Sequence, residues 1–405
     1  MRVWHDGASV FSGPLLPVFL IVAVDVLGLT LMIPLLPFYA ERMGASPAQV
    51  GWLIGIYAAC QLVSGPLLGR MSDRTGRKPL LIVSQIGTCI GFIVTAFAPN
   101  LWVLFLARAI DGATAGNLSL AQAYISDVTR PEERAKSFGI IGIAFGLGFL
   151  VGPAISGLLS RFDYRLPVFA AAALSALSVL TTWLILPAVR PGGRGAAPAG
   201  RRLGLMEWGS YAVYFRNPAL ASMLWQFTLF SFGFSMFTAG MPLFVERRLS
   251  WNGMPFGPEQ VGYVWGLAGL FGLVWQGPAL GRLVKRYGEH ALNQAGFIGY
   301  LGGYTLLAFC RSIPVLVLAT AVTSMGSLVR PALTSLITHA APREEQGVVL
   351  GLIQSLSSIC LILAPLLSGY LIEHGLLTTW GLTAALTSAM GLGLALQSGT
   401  RGRPA

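Results

Sequence analysis

The chain has little charge. Only 11% of its 405 residues are Asp, Glu, Lys or Arg, and sixteen are acidic. A soluble domain carries about 25% charged residues. A chain this poor in charge and 54% hydrophobic cannot maintain a water-facing surface over its length and is expected in lipid. Histidine and cysteine are equally sparse, at four each. Cys60, Cys89, Cys310 and Cys360 all fall within apolar runs, which reads as packing rather than as disulfides or a metal site. No Lys follows a Gly, and there is no His-Glu-x-x-His pair and no Gly-x-Ser-x-Gly turn. Phosphate-loop ATPases, zinc hydrolases and serine hydrolases therefore find no residues to stand on, and neither enzyme activity nor a cofactor is expected. A cleavable leader is not expected either, because the first apolar run, from Pro14 to Tyr39, is too long for a leader core.

What is abundant is small or kinked. The chain has 50 glycines and 24 prolines, tolerable in membrane helices, where small residues let backbones approach and neighbouring helices satisfy groups freed by Pro. A spanning helix needs about 20 apolar residues. Apolar runs between charged or turn-rich breaks give twelve candidates: residues 14–40, 47–69, 79–98, 101–125, 137–160, 166–187, 218–245, 259–281, 291–310, 313–338, 347–372 and 376–396. The expected fold is an all-α membrane protein of twelve transmembrane helices.

The basic residues, which give a net charge of +11, lie in short loops. That distribution fits membrane orientation rather than nucleic acid. Alternate loops and the termini hold nineteen Lys and Arg; the opposite side holds six, Arg42, Arg161, Arg165, Arg247, Arg248 and Arg311. The positive-inside bias then places both termini and the central loop in the cytoplasm of a bacterial plasma membrane. The central segment, with Pro187 and a run of Gly, Pro and Arg, reads as a linker. The expected organisation is a six-helix bundle at 1–187, a linker at 188–217 and a second six-helix bundle at 218–405.

Self-comparison supports two related halves. Gly65-Pro66-Leu67-Leu68-Gly69-Arg70 recurs as Gly277-Pro278-Ala279-Leu280-Gly281-Arg282, an offset of 212. At that offset Glu132-Glu133 matches Glu344-Glu345, Gly139 matches Gly351, and Pro153, Ser156 and Gly157 match Pro365, Ser368 and Gly369. Gln49-Val50-Gly51 matches Gln260-Val261-Gly262, one residue out of step. Two such pseudo-repeats around a central cavity are the plan of rocking carriers.

Between spans two and three runs Gly69-Arg70-Met71-Ser72-Asp73-Arg74-Thr75-Gly76-Arg77-Lys78. Gly69 allows close helix approach, Asp73 suits a helix N-terminus, and Arg74, Arg77 and Lys78 suit lipid phosphates. This stretch resembles the signature loop of the major facilitator superfamily, which implies that Asp73 helps latch a gate. The second copy has Lys285 where Asp73 stands, so a one-sided latch is expected. On the fifth span, Gly139, Gly148, Gly152-Pro153 and Gly157, with Ser156, leave one helical face nearly bare. The spacing resembles the antiporter motif of drug/proton exporters, with the glycine-rich eighth span as the expected packing partner. Asp25, Gly28, Pro34 and Pro37 on the first span resemble twelve-span drug/proton antiporters, and Arg108 to Gly112, Ala121 to Thr129 and Glu132-Glu133-Arg134-Ala135 resemble the tetracycline-exporter branch. That branch carries an acid within the third span and another within the ninth; neither span has one here, which argues against tetracycline itself.

Among the acids, Asp25 and Asp111 fall well inside spans, and so do the bases Arg108 and Arg330. An ion at midplane costs about 2.5–3.5 kcal/mol on insertion scales and needs a partner, water or a proton. Arg108 and Asp111, three apart, are helical neighbours; they read either as a structural pair or as proton-responsive. Asp25 has no local partner and is the first candidate for proton coupling. By the resemblance, spans one, four, seven and ten line the cavity, which brings Asn117, Gln122, Gln226, Phe230 and Arg330 to the substrate. The expected function is proton-coupled export of an amphipathic organic solute or drug, by a chain acting as a monomer among membrane lipids, without nucleic acid. A potential gives about 2.3 kcal/mol per charge per 100 mV and a pH unit about 1.4 kcal/mol, so one proton could drive roughly 100-fold export. Uptake by symport or facilitated diffusion is the alternative within transport; a receptor or scaffold of the same fold is the alternative outside it.

Overall fold

The computed structural model of the chain describes residues 15–129, 134–188, 213–276, 278–342 and 345–401. Among these, nine helices are each long and apolar enough to cross a membrane. They supply spans one (Leu15–Arg42), two (Pro47–Thr75), three (Arg77–Ala96), five (Arg134–Ser160), six (Arg165–Ile185), seven (Pro218–Arg248), ten (313–340), eleven (Gln346–Glu373) and twelve (Leu377–Arg401). Interrupted helices supply the rest. Span four is Leu101–Thr114 followed by Asn117–Val128. Spans eight and nine share Pro258–Gln276 and Pro278–Ala308, the latter broken at Gly288, where φ is +79°. The result is twelve helices in two six-helix pseudo-repeats.

Each interruption is chemically satisfied or sterically required. At the break in span four, the Gly116 N–H donates to Ser84 Oγ at 2.9 Å, and that hydroxyl donates to the Thr114 carbonyl. A third-span side chain thus replaces the missing helical bonds, as irregular backbone at membrane depth requires. Span ten tightens to a 3-10 turn at Met325–Leu328, where the Tyr300 ring lies so close to Gly326 that any side chain would collide. Between spans seven and eight, Ser250–Trp251 pairs antiparallel with Met254–Pro255. Asn252 and Gly253 both take positive φ in the two-residue turn, as such hairpins need.

The sequence duplication is realised as matched helix seams. Span two packs against span eleven, where a Cβ on Gly51 would strike the Pro365 carbonyl and one on Gly369 the Pro47 carbonyl. Span five packs against span eight with the same residues in exchanged roles: Gly262 meets the Pro153 carbonyl, and Gly157 the Glu259 carbonyl at 2.9 Å. Bare backbone on both sides lets the axes approach closely. Along the same helices the halves then part. A Cβ on Gly65, Gly69, Gly272, Gly281 or Gly351 would meet nothing within 4 Å. The bundle is sealed at the end that carries Arg161 and open toward the end that carries Arg77.

Helix two runs to Thr75, so Gly69 to Arg74 belong to a helix rather than a loop. Gly76, at φ +100°, makes the whole turn into span three. Its counterpart at offset 212 is Gly288, the second positive-φ break. Most of the linker, residues 189–212, lies outside the described residues; Val213–Arg216 forms one 3-10 turn before span seven.

Candidate functional site

The interior of the first half is built around carboxylates. The Asp25 carboxyl meets Ser178 of span six and Gln85 of span three. Gln85 Nε2 donates to Ser178 Oγ at 2.7 Å, and Ser175 Oγ to the Gln85 carbonyl at 3.2 Å. Gln85 and Ser178 are wholly buried. Asp25 Oδ1 and Gln85 Oε1 have no hydrogen-bond partner among the described residues. Buried acceptors are almost always satisfied; a proton on Asp25 removes its charge and supplies a donor where donors are short.

Nearby, Arg108 and Asp111 form the expected pair at 3.1 Å, both buried. Thr88 of span three also reaches Asp111, and the guanidinium lies 5.9 Å from the Tyr57 ring centroid and 5.8 Å from that of Phe92. Gly91 gives Asp111 its room: a Cβ there would sit 2.9 Å from the Asp111 Cβ. Asp25 and Asp111 are close enough to feel each other's charge. Asn117 and Gln122 follow on the second segment of span four. Asn117 is half-buried, with no hydrogen-bond partner for Oδ1 among the described residues, and Gln122 is exposed.

The second half is built differently. Gln226 is buried at 1% exposure and tied inward: Asn293 Nδ2 donates to its Oε1 at 2.7 Å, and its Nε2 reaches Ser222 and Ser398. It cross-links spans seven, nine and twelve instead of facing an opening, because an amide offers both donors and acceptors to those neighbours. Phe230, also placed in the cavity by the sequence reading, packs between Phe227, Phe234 and Tyr300 with centroids 5.8, 6.0 and 5.8 Å away. Arg330 is exposed.

The residues expected to latch a gate form a compact cluster within the first half. Arg77 is 5% exposed and pairs with Asp73 and, at 2.8 Å, with Asp127; it also donates to Ser72. It is therefore not a lipid-phosphate contact. Lys78 Nζ donates to the Trp183 carbonyl at 2.8 Å, while Arg74 is exposed.

The antiporter-type helix meets its expected partner, span eight, only in part. Gly148 and Gly152 face the first span, not the eighth: Cβ atoms there would run into Val26 and Thr30. Thr30 Oγ1 donates to the Gly148 carbonyl at 2.9 Å, and Ser156 Oγ to the Leu31 carbonyl at 2.6 Å. Residues four apart share one face, and that face is the seat of the helix carrying Asp25. Span eight instead meets Leu150, Pro153 and Gly157. The surroundings of Gly139 lie outside the described residues.

At the sealed end three links cross between halves. Arg247 pairs with Glu41, Arg161 with Glu259 and also with Tyr263, and Glu373 accepts from Ser46 Oγ and the Ala48 N–H, both at 2.9 Å. Phe38, Glu41, Arg42, Tyr164 and Glu246 line a cavity of about 250 Å³ there. Arg42 lies 3.4 Å over the Tyr164 ring, and burial pushes the Tyr164 phenol above its ordinary range.

Sequence reasoning missed Gln85, Ser178, Thr88 and Tyr57, and took Arg161 for an ordinary loop charge. The sequence profile of the Major Facilitator Superfamily matches residues 18–310 and 277–401. The chain belongs to that superfamily. It is a multi-pass membrane transporter with a small-molecule substrate. It is 31% identical over 366 residues to the tetracycline resistance protein, class B, of Escherichia coli, covering 88% of each chain. It is 25% identical over 380 residues to multidrug resistance protein 2 of Bacillus subtilis (strain 168), covering 92% of each. Among solved structures it resembles the nucleoside transporter NupG, with a TM-score of 0.75 at 16% identity over 97% of this chain and 100% of that one.

Proposed function

We propose that this transporter exports an amphipathic, drug-like organic molecule in exchange for protons. The observation that carries the reading is Asp25: an interior carboxyl held by two neutral side chains from spans three and six, with one oxygen unpartnered. Such a group can take up and release a proton without breaking an ion pair. The neighbouring Arg108–Asp111 pair is the second member of the coupling site. Seating of the first span on Gly148 and Gly152 links any movement of Asp25 to the helix that also forms a seam with the second half. The names of relatives, resistance proteins for tetracycline and for multiple drugs, agree with export of such molecules.

In this reading residues 1–187 and 218–405 rock as two bodies joined by 188–217, in a bacterial plasma membrane. The basic end faces the cytoplasm together with both termini. The conformation is then inward-open, the protein works as a monomer, and surrounding lipids meet its apolar faces.

The test uses proteoliposomes with an imposed pH gradient and a quinolone as probe. Wild-type protein is expected to accumulate it, and Asp25→Asn to lower the accumulation ratio from about 100-fold to about one. Counterflow at equal pH separates lost coupling from lost transport. Proton-driven accumulation that survives Asp25→Asn sinks the assignment.

A further inference from the structure

Arg330 stands apart from the other interior charges. On the lower part of span ten, Val329, Ala332, Leu333, Leu336 and Ile337 are buried along one side. The remaining side carries Arg330, Thr334 and Thr338, with Arg330 exposed. A helix face turned to lipid is apolar, as Val317 and Leu318 are on the same span at 41% and 52% exposure. A polar open face belongs to water, which here is the opening between the halves.

Arg330 also has no counter-charge among the described residues: no carboxylate there lies within ion-pair distance of it. The acids of residues 218–405 are Glu246, Glu259, Glu289, Glu344, Glu345 and Glu373, all near span ends. Arg108, the interior cation of the first half, is buried and paired. A guanidinium stays charged at any physiological pH, and its planar fork matches a carboxylate.

Beside it runs a wall of rings. Tyr300, close enough to Arg330 to feel its charge, stacks on Tyr304 at 5.2 Å, and Tyr304 meets Phe237 at 5.4 Å, which meets Trp265 at 5.5 Å. Phe234 and Phe237 are only half-buried. Tyr304 Oη and Trp265 Nε1 are buried with no hydrogen-bond partner among the described residues. Two orphaned polar atoms on one aromatic wall are uncommon in a finished core.

We propose that the second half binds an aromatic organic acid, its carboxylate on Arg330 and its ring system against Phe234 and Phe237. The inference rests on the transport reading above and names its substrate class.

The experiment measures thermal stabilisation of the purified full-length protein by naphthalene-2-carboxylate and by its cationic isostere, 2-naphthylmethylammonium. The carboxylate is expected to bind saturably and about tenfold more tightly than the ammonium, and Arg330→Gln to weaken it by about tenfold, with Arg330→Lys between. Equal binding of the two probes, no saturable carboxylate binding, or unchanged affinity in Arg330→Gln overturns the proposal. If Arg330→Gln does not fold, the wild-type preference together with Arg330→Lys decides. The wild-type proteoliposome assay separates the two readings: saturable carboxylate binding without proton-driven accumulation removes antiport and leaves this site standing, whereas proton-driven accumulation with equal binding of the two probes removes this site and leaves antiport.

Discussion

The two halves repeat each other's contacts with the charges reversed. Near the open end, Arg77 pairs with Asp127; at the positions 212 residues later, Glu289 faces His339 at 3.7 Å. Asp73 pairs with Arg77, and the residue at its counterpart position is Lys285. At the sealed end, Arg161 holds Glu259 at the start of span eight, while its counterpart Glu373 holds Ser46 and Ala48 at the start of span two. The glycine seams, by contrast, keep the same residues in both copies. Backbone approach depends on a missing side chain, for which glycine has no substitute. A polar link needs only complementary partners, and its sign is free to change once both change. What the duplication preserved is steric; what it released is electrostatic.

The steric side of the comparison predicts the largest effects. Gly51→Leu and Gly262→Leu each place a side chain against a carbonyl of the other half, at Pro365 and Pro153. Each is expected to lower counterflow by about 100-fold, because the sealed arrangement cannot form around the added volume. Gly65→Leu, on the same helix as Gly51 with nothing within 4 Å of its Cβ position, is expected to transport more than either. Equal loss at Gly65 and Gly51 would break the claim that one end is sealed and the other open.

The electrostatic side predicts unequal partners. Arg77→Gln leaves the Asp127 carboxylate without its 2.8 Å partner at a site where Arg77 is 5% exposed. It is expected to cost about 3 kcal/mol, since breaking a buried pair strands a charge. Glu289→Gln touches a histidine 75% exposed and is expected to cost under about 1 kcal/mol. Unfolding of the two variants in a denaturing detergent series measures the difference. Similar costs would mean that the charge reversal conserved energy as well as position.

Much of this plan was legible in the sequence. Apolar runs located the spans, and the repeat located the seam residues, Pro153, Gly157, Pro365 and Gly369 at an offset of 212 and Gly51 and Gly262 one residue out of step, because glycine and proline positions are set by local sterics. The Arg108–Asp111 pair was legible because helical spacing alone brings it together. The partners of Asp25 were not: Gln85 and Ser178 are neutral residues inside apolar runs, made neighbours only by tertiary packing. Gln226 misled for the same reason, since its position on the seventh span does not reveal that Asn293 and Ser398 claim its amide. The span-two boundary was missed because Arg70, Asp73 and Arg74 look like loop residues, although a helix extending beyond lipid tolerates them readily.

The smallest expected effect tests the sealed end itself. Arg161 is 47% exposed in its pair with Glu259, so water and salt screen it, and the pair contributes little. Glu373 is bonded differently: it accepts from the backbone N–H of Ala48 in the first turn of span two, where the helix end is positive. Glu373→Gln loses a charge–dipole attraction but keeps an acceptor oxygen, whereas Arg161→Gln loses the ion pair. Both variants are expected to shift transport by less than about fivefold. The discriminating measurement is transport against ionic strength. The Arg161→Gln defect is expected to vanish at high salt, where the wild-type pair is itself screened. The Glu373→Gln defect is expected to persist in part, because its partners are a hydroxyl and a backbone N–H rather than an ion, and hydrogen bonds to a carboxylate are less sensitive to salt than an exposed ion pair. If the two defects fade together, the links are ordinary surface charges, and the seal rests on the glycine seams alone.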